Sequence, residues 1–302
     1  MKIAVTGGSG FLGKWVVRAL KEAGHEVASI DIAAGIDDRW TTFSIDLTVY
    51  LETKNTLKVI KPDAIIHLAA LAGATGKGGG AESLKDPYRY FKANQDITLN
   101  VFEACRELGI RRVIYMSSFS PFGNAQCPIT EETPLDPDNP YGGSKANCET
   151  IAKIYAKKFG IKTIIFRVPL MCGEGQKEKN ALREFVFAAF DGQPLIVWSD
   201  GSTLREFVHP SDVANAYLLG LKHMDGMQAP YETFVLGNKP ITMANLAKLV
   251  KNTVGKGEIQ FLRDKPTLFD QFTRRDKVET ILGWFPKITV QEIVERVVRE
   301  SK

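Results

Sequence analysis

Lys2-Ile3-Ala4-Val5-Thr6-Gly7-Gly8-Ser9-Gly10-Phe11-Leu12-Gly13 is the stretch whose reading decides the fold. Its apolar, partly β-branched start predicts a strand over Lys2–Thr6. Glycines then interrupt the chain, and an amphipathic pattern predicts a helix near 11–23. Gly8, Gly10 and Gly13 satisfy GxGxxG, while Gly7, Gly10 and Gly13 satisfy the related GxxGxxG. Glycines at these spacings permit a tight turn and let the backbone approach a pyrophosphate. The helix N-terminus that follows adds N–H donors and a positive dipole end. The pattern alone is weak, and the strand-turn-helix context gives it meaning. The alternative is a turn that merely joins a strand to a helix.

Outward from this stretch the first half keeps the same rhythm. Strands are predicted at Lys2–Thr6, Glu26–Asp31, Thr42–Ile45, Ala64–Leu68, Arg112–Ser117 and Thr163–Arg167. Helices fall between them, near 11–23, 50–60, 88–108 and 141–159. Such alternation implies right-handed βαβ units: an α/β fold with a Rossmann-type doubly wound parallel sheet. Beyond Pro169 the rhythm breaks into a helix at 180–191, a strand near 194–198, a helix after Pro210, a strand at Thr233–Leu236 and two late helices. We therefore expect a dinucleotide-binding domain over 1–169. Residues 170–302 should form a smaller mixed α/β substrate region, with segments near 205–238 returning to the first domain.

The 302 residues suffice for one large or two modest domains with a real core. A net charge of +4 and no basic tract with interleaved aromatics argue against nucleic acid as a partner. No apolar run is long enough to span a bilayer, and no signal-peptide pattern precedes the first strand. Cys105, Cys127, Cys148 and Cys172 form no CxxC pair, and the four histidines show no metal-ligand spacing. Free thiols in a cytoplasmic protein, with no metal, are the expectation.

Asp31 ends the second predicted strand, eighteen residues after Gly13. A carboxylate there can accept both ribose hydroxyls of NAD and would repel the 2′-phosphate of NADP. No Arg or Lys follows until Arg39, so NAD is the expected cofactor. Asp31 could instead simply end a strand in a turn. Asp46-Leu47, after the third strand, is a candidate to flank the adenine, though Asp is common in turns. Gly76-Lys77, within Gly73–Gly80, imitates a phosphate loop. Gly78 stands where Ser or Thr is required, and Leu71 where the first glycine belongs, so a loop near the substrate is the better reading.

Tyr141-Gly-Gly-Ser-Lys145 places a phenol and an ammonium about one helical turn apart. An ammonium beside a phenol favours the phenolate and lowers its pKa from about 10. A tyrosine so tuned can exchange protons with an alcohol near neutral pH. Ser117-Ser118 close the strand Arg112–Ser117. Ligands of open parallel sheets bind at the carboxyl ends of the strands, so hydroxyl, phenol and ammonium are expected to converge there.

With these pieces in order, the chain resembles the extended short-chain dehydrogenase/reductase family, in its NAD-dependent sugar epimerase/dehydratase branch. The resemblance runs from Thr6 to about Pro286. It includes His67-Leu68-Ala69-Ala70, Asn94, Pro140-Tyr141 with Ser144-Lys145, Arg167, Asp200-Gly201, Arg205-Glu206-Phe207-Val208, Asp212-Val213-Ala214 and Leu282-Gly283-Trp284. It implies Tyr141 as general acid/base, and Lys145 as the group that lowers its pKa and holds the nicotinamide ribose. Ser118, four residues before Phe122, implies the hydroxyl that bonds the reacting oxygen; register favours it over Ser117. Gly7, Gly10, Phe11, Leu12, Gly13, Leu68, Ala69, Ala70, Ser117 and Val168 are expected to line the cofactor. Asn94 would steady the backbone or a water nearby. Arg205 matches an arginine that often binds the substrate's diphosphate; a structural ion pair with Glu206 or Asp212 is the alternative. A homodimer through helices 88–108 and 141–159 also fits the resemblance.

Departures narrow the chemistry. Sugar 4,6-dehydratases carry Asp-Glu after the catalytic hydroxyl, and here Phe119-Ser120 follow Ser118. Members that epimerise next to a ketone add a Cys and a His. Ser120 holds the cysteine position, and no matching histidine follows Gly173. Nucleotide-sugar epimerases usually place Asn where Leu170 stands, and Gly-Pro where Gly173-Glu174 stands. Leucine cannot donate to phosphate, and Glu174 is expected to add a repulsive charge. The leading reading is an NAD-dependent nucleotide-sugar epimerase of the UDP-glucose 4-epimerase kind. The others are an NAD-dependent dehydrogenase/reductase that releases NADH each turn, and a non-enzymatic NAD-binding protein, against which intact Ser118, Tyr141 and Lys145 speak.

Overall fold

The computed structural model describes residues 1–33, 40–72, 83–177 and 180–301. Arg39 and the glycine-rich Gly73–Gly80 stretch, with its phosphate-loop imitation, lie outside the described residues.

The first half alternates strand and helix: β1 (Lys2–Thr6), α1 (Phe11–Glu22), β2 (Glu26–Asp31), β3 (Thr41–Ser44), α2 (Tyr50–Ile60), β4 (Ala64–His67), α3 (Pro87–Leu108), β5 (Arg112–Ser118), α4 (Pro140–Phe159) and β6 (Lys162–Val168). The remainder holds β7 (Leu170–Met171), α5 (Ala181–Phe190), β8 (Leu195–Trp198), β9 (Leu204–Arg205), β10 (Phe207–Val208), α6 (Pro210–His223), β11 (Tyr231–Val235), β12 (Ile241–Thr242), α7 (Met243–Val254), β13 (Ile259–Leu262), α8 (Asp276–Leu282) and α9 (Val290–Glu300). Three helices follow β11 where two were expected; α8 has only seven residues, too few to show a clear period.

Seven parallel strands form one sheet in the order β11-β6-β5-β4-β1-β2-β3. Alternate residues of each central strand enter opposite cores. Ile3 and Val5 pack with α1, α6 and Trp284, whereas Ala4, Val113 and Tyr115 pack with residues of α2, α3 and α4. A helix layer on each face is what a strand buried on both sides demands. β11, from late in the chain, pairs with β6 from Tyr231↔Thr163 to Val235↔Arg167. A separate apolar cluster joins α5, α7, α9 and β8 into a second lobe beside the carboxyl ends of the strands.

Caps fix the helices that carry the site. Asp86 accepts from Arg89 N ahead of Pro87, and Gly109 ends α3 in the left-handed region at φ 74°. Asn139 accepts from Gly142 N ahead of Pro140, which sets Tyr141 in the first turn of α4. No helix among the described residues is long and apolar enough to cross a membrane, and all four cysteines are free.

Candidate active site

Gly7 lies at φ 73°, and a β-carbon there would stand 2.8 Å from Ala69 N. The turn after β1 therefore passes tightly against the segment after β4, and only glycine permits it. Thr6 Oγ1 accepts from Ala69 N at 3.2 Å and contacts His67 Nδ1 at 2.7 Å. Gly10 caps α1 in an extended conformation without a side-chain hydrogen bond, and the first turn holds no acidic residue. The leading N–H groups of α1 are thus left to a ligand, which suits an anion. Asp31 ends β2 beside this turn, with Oδ2 accepting from Ser9 N at 2.9 Å and Oδ1 from Ala33 N at 3.1 Å. These features fit a dinucleotide with free ribose hydroxyls.

Asp46 is spent differently. Its Oδ1 accepts from Thr48 N at 2.9 Å and Thr48 Oγ1 at 2.7 Å, closing a turn ahead of α2. Leu47 is buried, and its carbonyl accepts from Asn100 Nδ2 at 2.9 Å. Asn94 ties the segment after β4 to α4. Its Oδ1 accepts from Leu71 N at 2.7 Å, and its Nδ2 donates to Leu71 O and to Ser144 Oγ at 2.8 Å. Leu68, Ala69 and Ala70 lie on the stretch so held, between His67 and Leu71.

The two serines at the end of β5 face opposite ways. Ser117 is fully buried beside the Glu149 carboxylate. Ser118 faces the Tyr141 phenol, and its Oγ accepts from Ser120 N at 3.2 Å and lies 3.4 Å from Ser120 Oγ. Val168 O, across the ladder, accepts from Phe119 N at 3.2 Å and fixes the chain just past the serines. Gly142 lets α4 approach this turn: a β-carbon there would stand 2.5 Å from Ser120 O.

Tyr141 keeps part of its surface open while its phenol is enclosed. Burial pushes the phenol up to about 12, and Ser118 acts in the opposite direction. Lys145 does not reach for that phenol. Its Nζ donates to Met116 O and lies over the Tyr115 ring, and burial pushes the ammonium down to about 8. In this arrangement the ammonium is engaged on β5, one turn of α4 on from Tyr141.

Two readings of the second lobe change. Arg205 pairs with neither Glu206 nor Asp212. Its Nη1 donates to Leu204 O at 2.8 Å and Phe269 O at 2.6 Å. Glu206 instead accepts from Thr273 N at 3.0 Å, and Asp212 from Ile288 N at 3.0 Å. Glu174 is not a loose repulsive charge. Its Oε2 lies 2.7 Å from His209 Nε2, and its Oε1 3.5 Å from Arg296 Nη1. The next residue is fastened too: Gly175 N donates to Glu300 Oε1 at 2.7 Å, and Arg183 Nη1 to Glu300 Oε2 at 3.1 Å. Leu170 pairs with Phe207 and packs against the apolar cluster of the second lobe.

Tyr115 and His209 are not singled out by sequence reasoning. His209 had a signal, since it directly follows the quoted Arg205–Val208 motif. Tyr115 had none, because strand alternation does not say which helix covers a face.

A Rossmann-type parallel sheet with a glycine turn after β1, an acidic end to β2 and a Ser/Tyr/Lys set at β5 and α4 defines the extended short-chain dehydrogenase/reductase class. The chain belongs to the NAD-dependent epimerase/dehydratase family, whose description matches residues 3–237. It is similar to the UDP-glucose 4-epimerase of Lacticaseibacillus casei, at 28% identity over 98% of this chain and 95% of that one. Among solved structures it resembles the Thermus thermophilus UDP-glucose 4-epimerase complexed with NAD: TM-score 0.85, 26% identity, 99% of this chain and 98% of that one. It also resembles the Thermotoga maritima UDP-glucose 4-epimerase with UDP-glucose: TM-score 0.87, 25% identity, 100% and 98%. The chain is accordingly an NAD-dependent enzyme of the extended type.

Proposed function

We propose that this enzyme is a nucleotide-sugar 4-epimerase of the UDP-glucose 4-epimerase kind. The observation that carries the reading is the approach of Ser118 to the Tyr141 phenol at the carboxyl edge of the sheet, with Lys145 one turn behind and the glycine turn on the same edge. Relatives of known activity with the same fold supply the substrate class.

In this reading Gly7, Gly10, Phe11, Leu12 and Gly13 hold the pyrophosphate, and Asp31 accepts the adenosine ribose hydroxyls. Leu68, Ala69, Ala70, Asn94 and Val168 shape the rest of the cofactor cleft; Asp46, Leu47 and Ser117, whose side chains are engaged or buried elsewhere, would contribute main-chain atoms alone. NAD, when bound, supplies a hydride acceptor that later returns the hydride. Ser118 orients the sugar hydroxyl, Tyr141 takes its proton and later gives one back, and Lys145 supplies the positive charge that makes the phenolate accessible. Arg205, whose Nη1 is held by two carbonyls, would present its remaining guanidinium edge to a diphosphate. The outward stripe of α3 and α4, with Tyr88, Leu99, Ile154 and Phe159 exposed, would pair two copies into a homodimer. We place the protein in the cytoplasm, in keeping with its free thiols.

A second reading, net dehydrogenation with release of NADH, is favoured by Leu170, which serves the core of the second lobe and offers no amide to a phosphate. The deciding experiment incubates purified protein with UDP-, GDP- and TDP-hexoses, without added cofactor, and seeks 4-epimers by NMR. Epimer formation supports the first reading. Its absence, with NADH accumulating on a simple alcohol when NAD is added, sinks it.

A further inference from the structure

The Lys145 ammonium is deeply buried, and among the described residues it has no ion pair. The Glu149 carboxylate one turn along α4 is taken by Arg167 and Lys153. What faces the ammonium is the carbonyl of Met116 and the ring of Tyr115, whose centroid is 4.6 Å from Nζ. A cation over an aromatic face at this distance is attracted to the ring quadrupole, and most strongly where water is excluded. Tyr115 is itself only 1% exposed and cannot swing away. Its ring packs against His67 at 5.5 Å, its hydroxyl lies beside the Cys148 thiol, and His67 is pinned between Thr6 Oγ1 and Thr98 Oγ1. Burial pushes His67 down to about 3, so it is neutral and sets no competing charge against the lysine.

We infer that Tyr115 is a positioning residue for Lys145: its ring face, with the Met116 carbonyl, holds the ammonium charged and on the β5 side of α4, from which it serves Tyr141. The inference rests on the reading of Lys145 as the partner of Tyr141. The titratable groups around the ammonium are Cys148 and Glu149 on its own helix, His67 on β4, Tyr115 on β5, and Tyr141, which is near Tyr115. Removing the ring's pull should let Lys145 lose its proton at lower pH. The phenol then loses a favourable charge, and turnover needs higher pH.

The test follows the Lys145 titration by NMR in the full chain with 13Cε-labelled lysine, its signal assigned by loss in Lys145→Arg. Tyr115→Phe keeps the ring, and phenylalanines carrying one to three fluorines keep the shape while draining the quadrupole. The expected midpoint is near wild type for Phe and falls stepwise with fluorine, by about one pH unit for three. The acid limb of the kcat profile should rise in parallel, with NAD affinity and Tm unchanged. A midpoint that ignores fluorination, or that Tyr115→Phe alone moves as far, overturns the inference. A midpoint that falls while the kcat profile stays put upholds the ring's hold on Lys145 and removes Lys145 from the chemistry.

Discussion

The Arg167 guanidinium grips the Glu149 carboxylate with two nearly parallel hydrogen bonds, Nε to Oε1 at 3.0 Å and Nη2 to Oε2 at 2.9 Å. Both residues are buried, and the guanidinium also stacks over the Phe122 ring at 4.9 Å and donates to Glu131 O. The pair locks the end of β6 to α4 behind the serines. Removing one partner strands a buried charge, so Arg167→Met should cost about 3–5 kcal/mol, while the double change with Glu149→Leu should cost less. Urea unfolding of the three variants checks this. Burial raises the Glu149 carboxyl, and Arg167, with help from Ser117 and Lys153, more than reverses it, leaving the pKa below the usual 4.5. The pair's contribution is therefore present above that value and lost as pH falls through the folded pKa.

Tyr141→Phe removes the phenol that faces the Ser118 side chain. Turnover should fall by about a hundred- to ten-thousand-fold while NAD binding, followed by fluorescence quenching, persists. A fully active variant would refute the assignment.

Asp31 is expected to bind the ribose hydroxyls while bracing the glycine turn through Ser9 N. Asp31→Ala should weaken NAD by roughly ten- to a hundredfold and leave NADP little changed, so the preference for NAD shrinks. Kd values for both dinucleotides decide it; an unchanged ratio removes Asp31 from cofactor choice.

Gly142→Ala would drive a methyl group to within 2.5 Å of Ser120 O. The turn after β5 must shift, taking Ser118 and Ser120 away from the phenol. Displacement on this scale should lower kcat by about a hundredfold with NAD affinity nearly unchanged. Steady-state kinetics beside NAD titration separates these outcomes.

Glu206 is buried under Thr273, and burial pushes its carboxyl up to about 7 despite the Thr273 hydrogen bonds. A raised carboxyl stabilises the fold below its unfolded value and loses that contribution as pH rises through about 7. Wild type should therefore lose on the order of 2 kcal/mol between mildly acidic and mildly alkaline buffer, and Glu206→Gln should flatten the curve. Denaturant midpoints across that range provide the check.

What was legible in the sequence was what local pattern encodes. The glycine turn announces itself because strand, glycines and helix are contiguous, and Tyr141 and Lys145 share one helix face. The rest depends on distant partners. Glu174 read as a repulsive charge because the sequence does not show His209 closing on it from 35 residues away. β13 was not foreseen: four residues, Ile-Gln-Phe-Leu, acquire strand identity only by pairing with β8 from Ile259↔Leu195 onward. Lys145 was read against Tyr141, its neighbour in sequence, whereas its nearest aromatic face lies on β5.

The hold of Glu300 and Arg296 on Gly175 and Glu174 carries a consequence for biosynthesis. The parallel sheet can assemble once β11 has left the ribosome, but the 173–177 loop beside the second lobe waits for α9, which emerges later. A nascent chain would thus acquire its cofactor cleft well before this loop is fastened. The dinucleotide could be captured by a protein whose second lobe has yet to set.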